Sequence, residues 1–173
     1  LNDTWWRVEY DFAVGCFMTP AWRQTVYNRT MPLVDQYGFD AVYQDQLGVW
    51  AMPCYDERHG HPPADPTGWR EAEEQLYRRI RRDWEARGHR AVLLAEYPGE
   101  AQIPLVDGAL TVGKGQILRD RCVPLFPAVY HTHYATVGWV DDAHWHLKDP
   151  EKYLHQRMMG LGYGSQLGWI SVT

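Results

Sequence analysis

GFDAVYQD (residues 38–45) and RAVLLAE (residues 90–96) are two short apolar runs, each closed by an acid, Asp45 and Glu96. Runs of this length without polar alternation read as strands buried on both faces, the habit of a parallel sheet covered by helices. Between them lies the clearest helical pattern in the chain. Trp69, Ala72, Leu76, Ile80 and Trp84 fall on one stripe, acids lead, arginines trail, and Gly88 ends the run. In a β/α barrel the C-terminal strand ends converge on one pocket, so carboxylates placed there become candidate catalytic groups. A pair of carboxylates is what glycoside hydrolysis requires.

Outward from this core the pattern repeats. VEYDFAVGCFM (residues 8–18) reads as a strand ending at Thr19 and Pro20, and residues 21–37 as a helix kinked by Pro32, with Gly38 in the C′ position. Residues 46–66 form a long loop bearing Gly and Pro, of the kind that is usually functional inside a compact domain. After Glu96 come a turn-rich segment and a short strand, LVDGALTV (residues 105–112). The apolar run 123–131 reads as a strand weakened by Pro124 and Pro127. Asp149-Pro150-Glu151 is a helix start, with a cap, Pro in the first position and an acid in the first turn. That helix reaches Gly160–Gly164, and LGWIS (residues 167–171) reads as a last short strand.

Alternation of this kind predicts an α/β fold with a parallel sheet. A full barrel takes ~250 residues, so the expectation is a single domain over residues 1–173 that holds only the later part of a (β/α) TIM-type barrel. The remaining strands would come from another segment or another chain.

Composition narrows the partners. The net charge of −5 argues against nucleic acid, since phosphate binding needs a basic surface. The arginines at 78, 79, 81 and 82 stand beside Glu71, Glu73 and Glu74 on a predicted helix and read as a solvated face. No stretch is long and apolar enough to cross a bilayer, so no membrane partner is expected. No signal peptide is visible, yet the chain starts with Leu and reads as a mature, trimmed or partial piece. The compartment stays open, with a secreted or periplasmic setting favoured over the cytoplasm. Cys16, Cys54 and Cys122 make no disulfide framework, although one bridge is allowed.

Several motifs together carry a resemblance: GFDAVYQDQLG (38–48), CYDERHGHPP (54–63), the helix opened by Trp69, the strand ending at Glu96, VDGALT (106–111) and VPLFPAVY (123–130). From about Phe12 to Ile170 the chain resembles a family of large bacterial proteins with an uncharacterised glycoside-hydrolase-like barrel, labelled DUF6259. That family is distantly similar to the endo-α-N-acetylgalactosaminidase and α-amylase groups. The resemblance implies a nucleophilic Asp closing one strand and an acid/base Glu closing the next, which here are Asp45 and Glu96. Two departures stand out. Ala95 occupies a position where the family carries Thr or Ser, and the third carboxylate of the amylase group has no counterpart in FPAVYHTHY (126–134).

The expected activity is therefore that of a glycosidase of the retaining type, with an oligosaccharide or glycan as substrate and no cofactor. Glu96 would need a raised pKa, which Leu94 and Tyr97 could supply by desolvation. Asp56, Glu100 and Asp107 are the reserve carboxylates, Glu100 the closest rival for the acid. Tyr43, Gln46, Trp50, Tyr55, His59, His61, His131 and His133 are the expected substrate contacts. Tyr43 lies two residues before Asp45 and faces the same way on a strand. Trp139, Trp145 and Tyr134 are further candidate sugar platforms, whereas Trp22, Trp69, Trp84 and Trp169 read as core.

Two other readings stay open. Three His-x-His pairs (59/61, 131/133, 144/146) have the spacing by which metal-dependent barrel hydrolases hold zinc, so a metal-activated water is one alternative. Cys54 with His59 and His61 is a second possible zinc set, Cys16 being the candidate fourth ligand. A barrel that binds carbohydrate without cleaving it is the other alternative.

Overall fold

A computed structural model describes residues 14–45, 52–96, 99–112, 125–133, 135–140, 150–162 and 164–166. The first helix, α1 (Pro20–Asp35), starts where Thr19 Oγ1 accepts from the Trp22 amide and Pro20 takes a position that needs no amide hydrogen. Pro32 lies within its last turns without ending it; the helix ends at Asp35 with Gln36 as its C-cap, so Gly38, whose φ of +70° a side chain would resist, stands one residue beyond the expected C′ position. Tyr27, Thr30, Met31 and Val34 form its buried face.

Strand β1 (Ala41–Gln44) follows, then a loop and helix α2 (Pro66–Ala86). Asp65 caps α2 by accepting from the amides of Thr67 and Gly68, both at 3.0 Å. The stripe Trp69, Ala72, Leu76, Ile80 and Trp84 is buried, joined by Tyr77 and Glu73. Strand β2 (Val92–Glu96), a 3-10 turn (Glu100–Gln102), strand β3 (Gly108–Val112), helix α3 (Leu125–Tyr130), strand β4 (Ala135–Val140) and helix α4 (Pro150–Gly162) complete the order.

The four strands are all parallel and lie in chain order, β1-β2-β3-β4. Each new strand is thus added on the same side of the last, with no reversal point of the kind a doubly wound sheet has. Beyond α4, the Gln166 amide donates to the Thr136 carbonyl at 2.8 Å, and an isolated parallel bridge pairs Gln166 with Val137. Gln166 therefore stands beside β4.

The two faces of the sheet differ. Val42, Leu93 and Ala95 point toward α1 and α2 and join their residues in one core, and Gln44 Nε2 donates to Thr30 Oγ1 of α1 at 2.7 Å. On the other face stand Tyr43, Leu94 and Gly108, partnered across the sheet. Gly108 has no room for a side chain there: a Cβ would meet the Ala135 carbonyl oxygen at 2.5 Å and Leu94 Cδ2 at 2.9 Å.

Three expectations need correction. Residues 125–130 are helix rather than strand: Pro127 falls in the first turn, where amide hydrogens have no partner to lose. Residues 14–18 form a turn into α1 rather than the end of a strand, with the Thr19 amide donating to the Cys16 carbonyl. Trp22 is 37% exposed rather than core, since it lies against Gly15 at the start of α1. The expected strand at 167–171, and Trp169 with it, lies outside the described residues. Among the described residues no helix is long and apolar enough to cross a membrane.

Candidate active site

Asp45 is the residue immediately after β1, and Glu96 is the last residue of β2. The register pairs Tyr43 with Leu94 and Gln44 with Ala95. Carried one residue further, it sets Asp45 level with Glu96 on the neighbouring strand. Paired residues of a parallel sheet share a face, so both carboxylates belong to the face of Tyr43, away from α1 and α2. Tyr43 donates its hydroxyl to Asp45 Oδ1 at 3.0 Å. Burial, that hydrogen bond and the charges of Glu96 and Asp45 push the Tyr43 hydroxyl well above the usual tyrosine range. It therefore stays protonated and serves Asp45 as a donor. Glu96 is buried at 9% exposure, whereas Asp45 is exposed.

The reserve carboxylates have other work. Asp107, just before β3, accepts from the Leu93 amide and from Arg81 Nη2, both at 2.7 Å. That fastens α2 and two strands at the edge of the sheet opposite Asp45. Asp56 is held by Arg58 and caps the 3-10 turn Glu57–His59; the guanidinium keeps its carboxyl below the ordinary carboxylate range. Glu100 accepts from the Tyr130 hydroxyl at 2.6 Å.

The expected contact residues scatter. Gln46 and Trp50, like Tyr97, Tyr134, His144, Trp145, His146 and Cys122, lie outside the described residues. Tyr55 is on the loop after β1 and 70% exposed. His131 and His133 are exposed in the turn before β4. His59 and His61 turn toward sulfur: His59 Nδ1 is 3.2 Å from Cys54 Sγ, and His61 Nε2 is 3.2 Å from Cys16 Sγ. The sequence reading left two of their partners unnamed, the Asp56 carboxylate and the Pro62 carbonyl. Both follow from adjacency in CYDERHGHPP, where a short turn folds the loop on itself.

A singly wound parallel α/β sheet with two acids adjacent at its C-terminal edge defines the class. The chain belongs to the family described as "Domain of unknown function (DUF6259)", whose model matches residues 8–141. It is also similar to two curated proteins. One, from Bacteroides thetaiotaomicron and named "Putative glycoside hydrolase", is 28% identical over 158 residues, 91% of this chain and 23% of that protein. The other, "Putative glycoside hydrolase 22789" from Monosiga brevicollis, is 27% identical over 155 residues, 87% of this chain and 13% of that protein. The chain thus spans a quarter or less of the length of either relative.

Proposed function

We propose that this chain carries the catalytic carboxylates of a retaining glycoside hydrolase, with Asp45 as nucleophile and Glu96 as acid/base. The observation that carries the reading is the adjacency of the two acids in the parallel register, at one edge and on one face. Neighbouring strands run ~4.8 Å apart, which suits the roughly 5–5.5 Å separation that retention requires rather than the roughly 6.5–9.5 Å of inversion. The names of the two relatives lean the same way. The sequential strand order is compatible with a barrel, which further strands would close.

In the first step Asp45 attacks the anomeric carbon and the glycosidic C–O bond breaks, while Glu96 gives its proton to the departing oxygen. In the second, Glu96 takes a proton from water, the water oxygen bonds to the anomeric carbon, and the Asp45 ester is released. Tyr43 holds Asp45 in place through its hydroxyl, and Glu96 is buried on the same face at 9% exposure. The resemblance to amylase-type enzymes inclines the substrate toward an α-linked glycan.

The test is hydrolysis of a panel of aryl and natural glycosides by the full-length protein and its D45N and E96Q variants. D45N is expected to lose turnover while still binding glycan. E96Q is expected to lose on the order of a thousandfold on natural glycosides and far less on aryl glycosides whose leaving groups need no proton. Turnover that survives D45N would refute the assignment. Glycan binding with no turnover in the parent protein would mark a non-catalytic barrel instead.

A further inference from the structure

We propose that Cys16, Cys54, His59 and His61 form a structural zinc site that staples the segment before α1 to the loop after β1. The four donor atoms (two sulfurs and two ring nitrogens) all lie within 4.8 Å of one another. Tetrahedral zinc with S and N ligands at about 2.3 and 2.0–2.1 Å puts its donors roughly 3.3–3.8 Å apart. The two S···N separations of 3.2 Å are already at that scale.

The second nitrogen of each ring orients the first. His61 Nδ1 lies 2.9 Å from the Pro62 carbonyl oxygen, which can only accept, so Nδ1 carries the proton and the Nε2 lone pair faces Cys16. His59 Nε2 lies 3.6 Å from Asp56 Oδ2, which leaves Nδ1 turned to Cys54. A carbonyl and a carboxylate behind two imidazoles are the outer partners that metal-ligating histidines ordinarily have.

Chemistry selects the metal and its role. Two thiolates with two imidazoles suit zinc and do not suit calcium, magnesium or manganese. Binding releases the two thiol protons to solvent and leaves a site of zero net charge, suited to a partly buried position. Four protein ligands leave no open position for water, so the ion holds structure and activates nothing. Cys16 stands before α1 and the other three ligands stand between β1 and α2, so the ion ties the N-terminal ends of the two helices at the edge that carries Asp45.

The test uses the full-length protein, purified under reducing conditions without chelator and assayed for metal by mass spectrometry. Zinc at one equivalent more than in C54S or H61A is expected, with D45N keeping the full amount whatever its activity. Exchange of zinc for cobalt(II) in the parent protein should give a thiolate-to-cobalt charge-transfer band and the intense visible bands of tetrahedral cobalt. This readout does not depend on how well the variants fold. Folded, reduced protein that takes up no cobalt with those bands overturns the proposal. So does a C54S variant that retains the full equivalent, or a Cys16–Cys54 disulfide in the reduced preparation.

Discussion

Tyr43 and Asp45 act as one unit. The hydroxyl donates at 3.0 Å to a carboxylate oxygen that, in the proposed mechanism, has to stay in line with a sugar's anomeric carbon. A hydrogen bond to a charged group is worth about 1.5–3 kcal/mol, so Y43F should lower kcat on the order of tenfold to a hundredfold and change KM little, measured on whichever glycoside the panel identifies. An unchanged kcat would remove Tyr43 from the positioning of Asp45. Asp83 offers a pH prediction at the same scale. Its carboxyl is held below the ordinary range first by the Tyr27 hydroxyl, 2.8 Å away, then by the Arg82 and Arg79 guanidinium groups. A depressed folded-state pKa adds stability above the unfolded pKa, which is lost as pH falls through the folded one. Y27F should therefore cost about 1 kcal/mol at neutral pH, and the gap between the two denaturation curves should shrink as the solution is taken below about pH 4.

Helix α2 shows what the chain's pattern declares openly. Its apolar residues recur at helical spacing, and the stripe is buried as a unit, with Trp84 at 1% exposure and Ile80 at 0%. W84A should cost about 3–5 kcal/mol, and D65A, which strips the cap from Thr67 and Gly68, about 1 kcal/mol, both read from denaturant midpoints. Strands β1 and β2 were legible for the same reason, as short continuous apolar runs set on either side of an unmistakable helix. The run at 125–130 was not legible. Its composition suits a strand and a short helix equally, and only the position of Pro127 relative to the helix start separates them. Trp22 failed in another way: helical spacing marked a face, but its ring lies against Gly15 rather than under the sheet. Cys16 and His61 are 45 positions apart in the chain, and the turn that joins them becomes visible only once α1 and β1 are folded. The spacing of Cys54, His59 and His61 named three ligands and left Cys16 as the candidate fourth; the fold brings its sulfur to them.

At the scale of the whole molecule, parallel strands laid down in sequential order build a surface that curls toward closure, with helices outside and alternate side chains within. In the proposed barrel the face of Tyr43, Leu94 and Glu96 would be the lumen, and the edge holding Asp45 its mouth. A zinc staple between the first two connections would stiffen that mouth. Metal stripped by a strong chelator should then lower Tm, and zinc added back should restore it; a Tm indifferent to both would leave the loops held by protein contacts alone. The sheet direction and the two acids were readable from chain order, because a strand–helix–strand unit fixes both strands parallel. Closure was not, because the described strands make one four-stranded sheet and the chain spans only 23% and 13% of its relatives.

The claim on which the rest turns is that Asp45 makes the covalent bond to sugar. A fluorinated glycoside of the preferred sugar, which forms the glycosyl ester quickly and releases it slowly, reads this directly when the labelled protein is digested and its peptides are sequenced by mass spectrometry. One sugar per chain is expected, on the peptide containing Asp45 and on that side chain, and none in D45N. A label on any other carboxylate, or hydrolysis that proceeds with inversion and leaves no label, would contradict it.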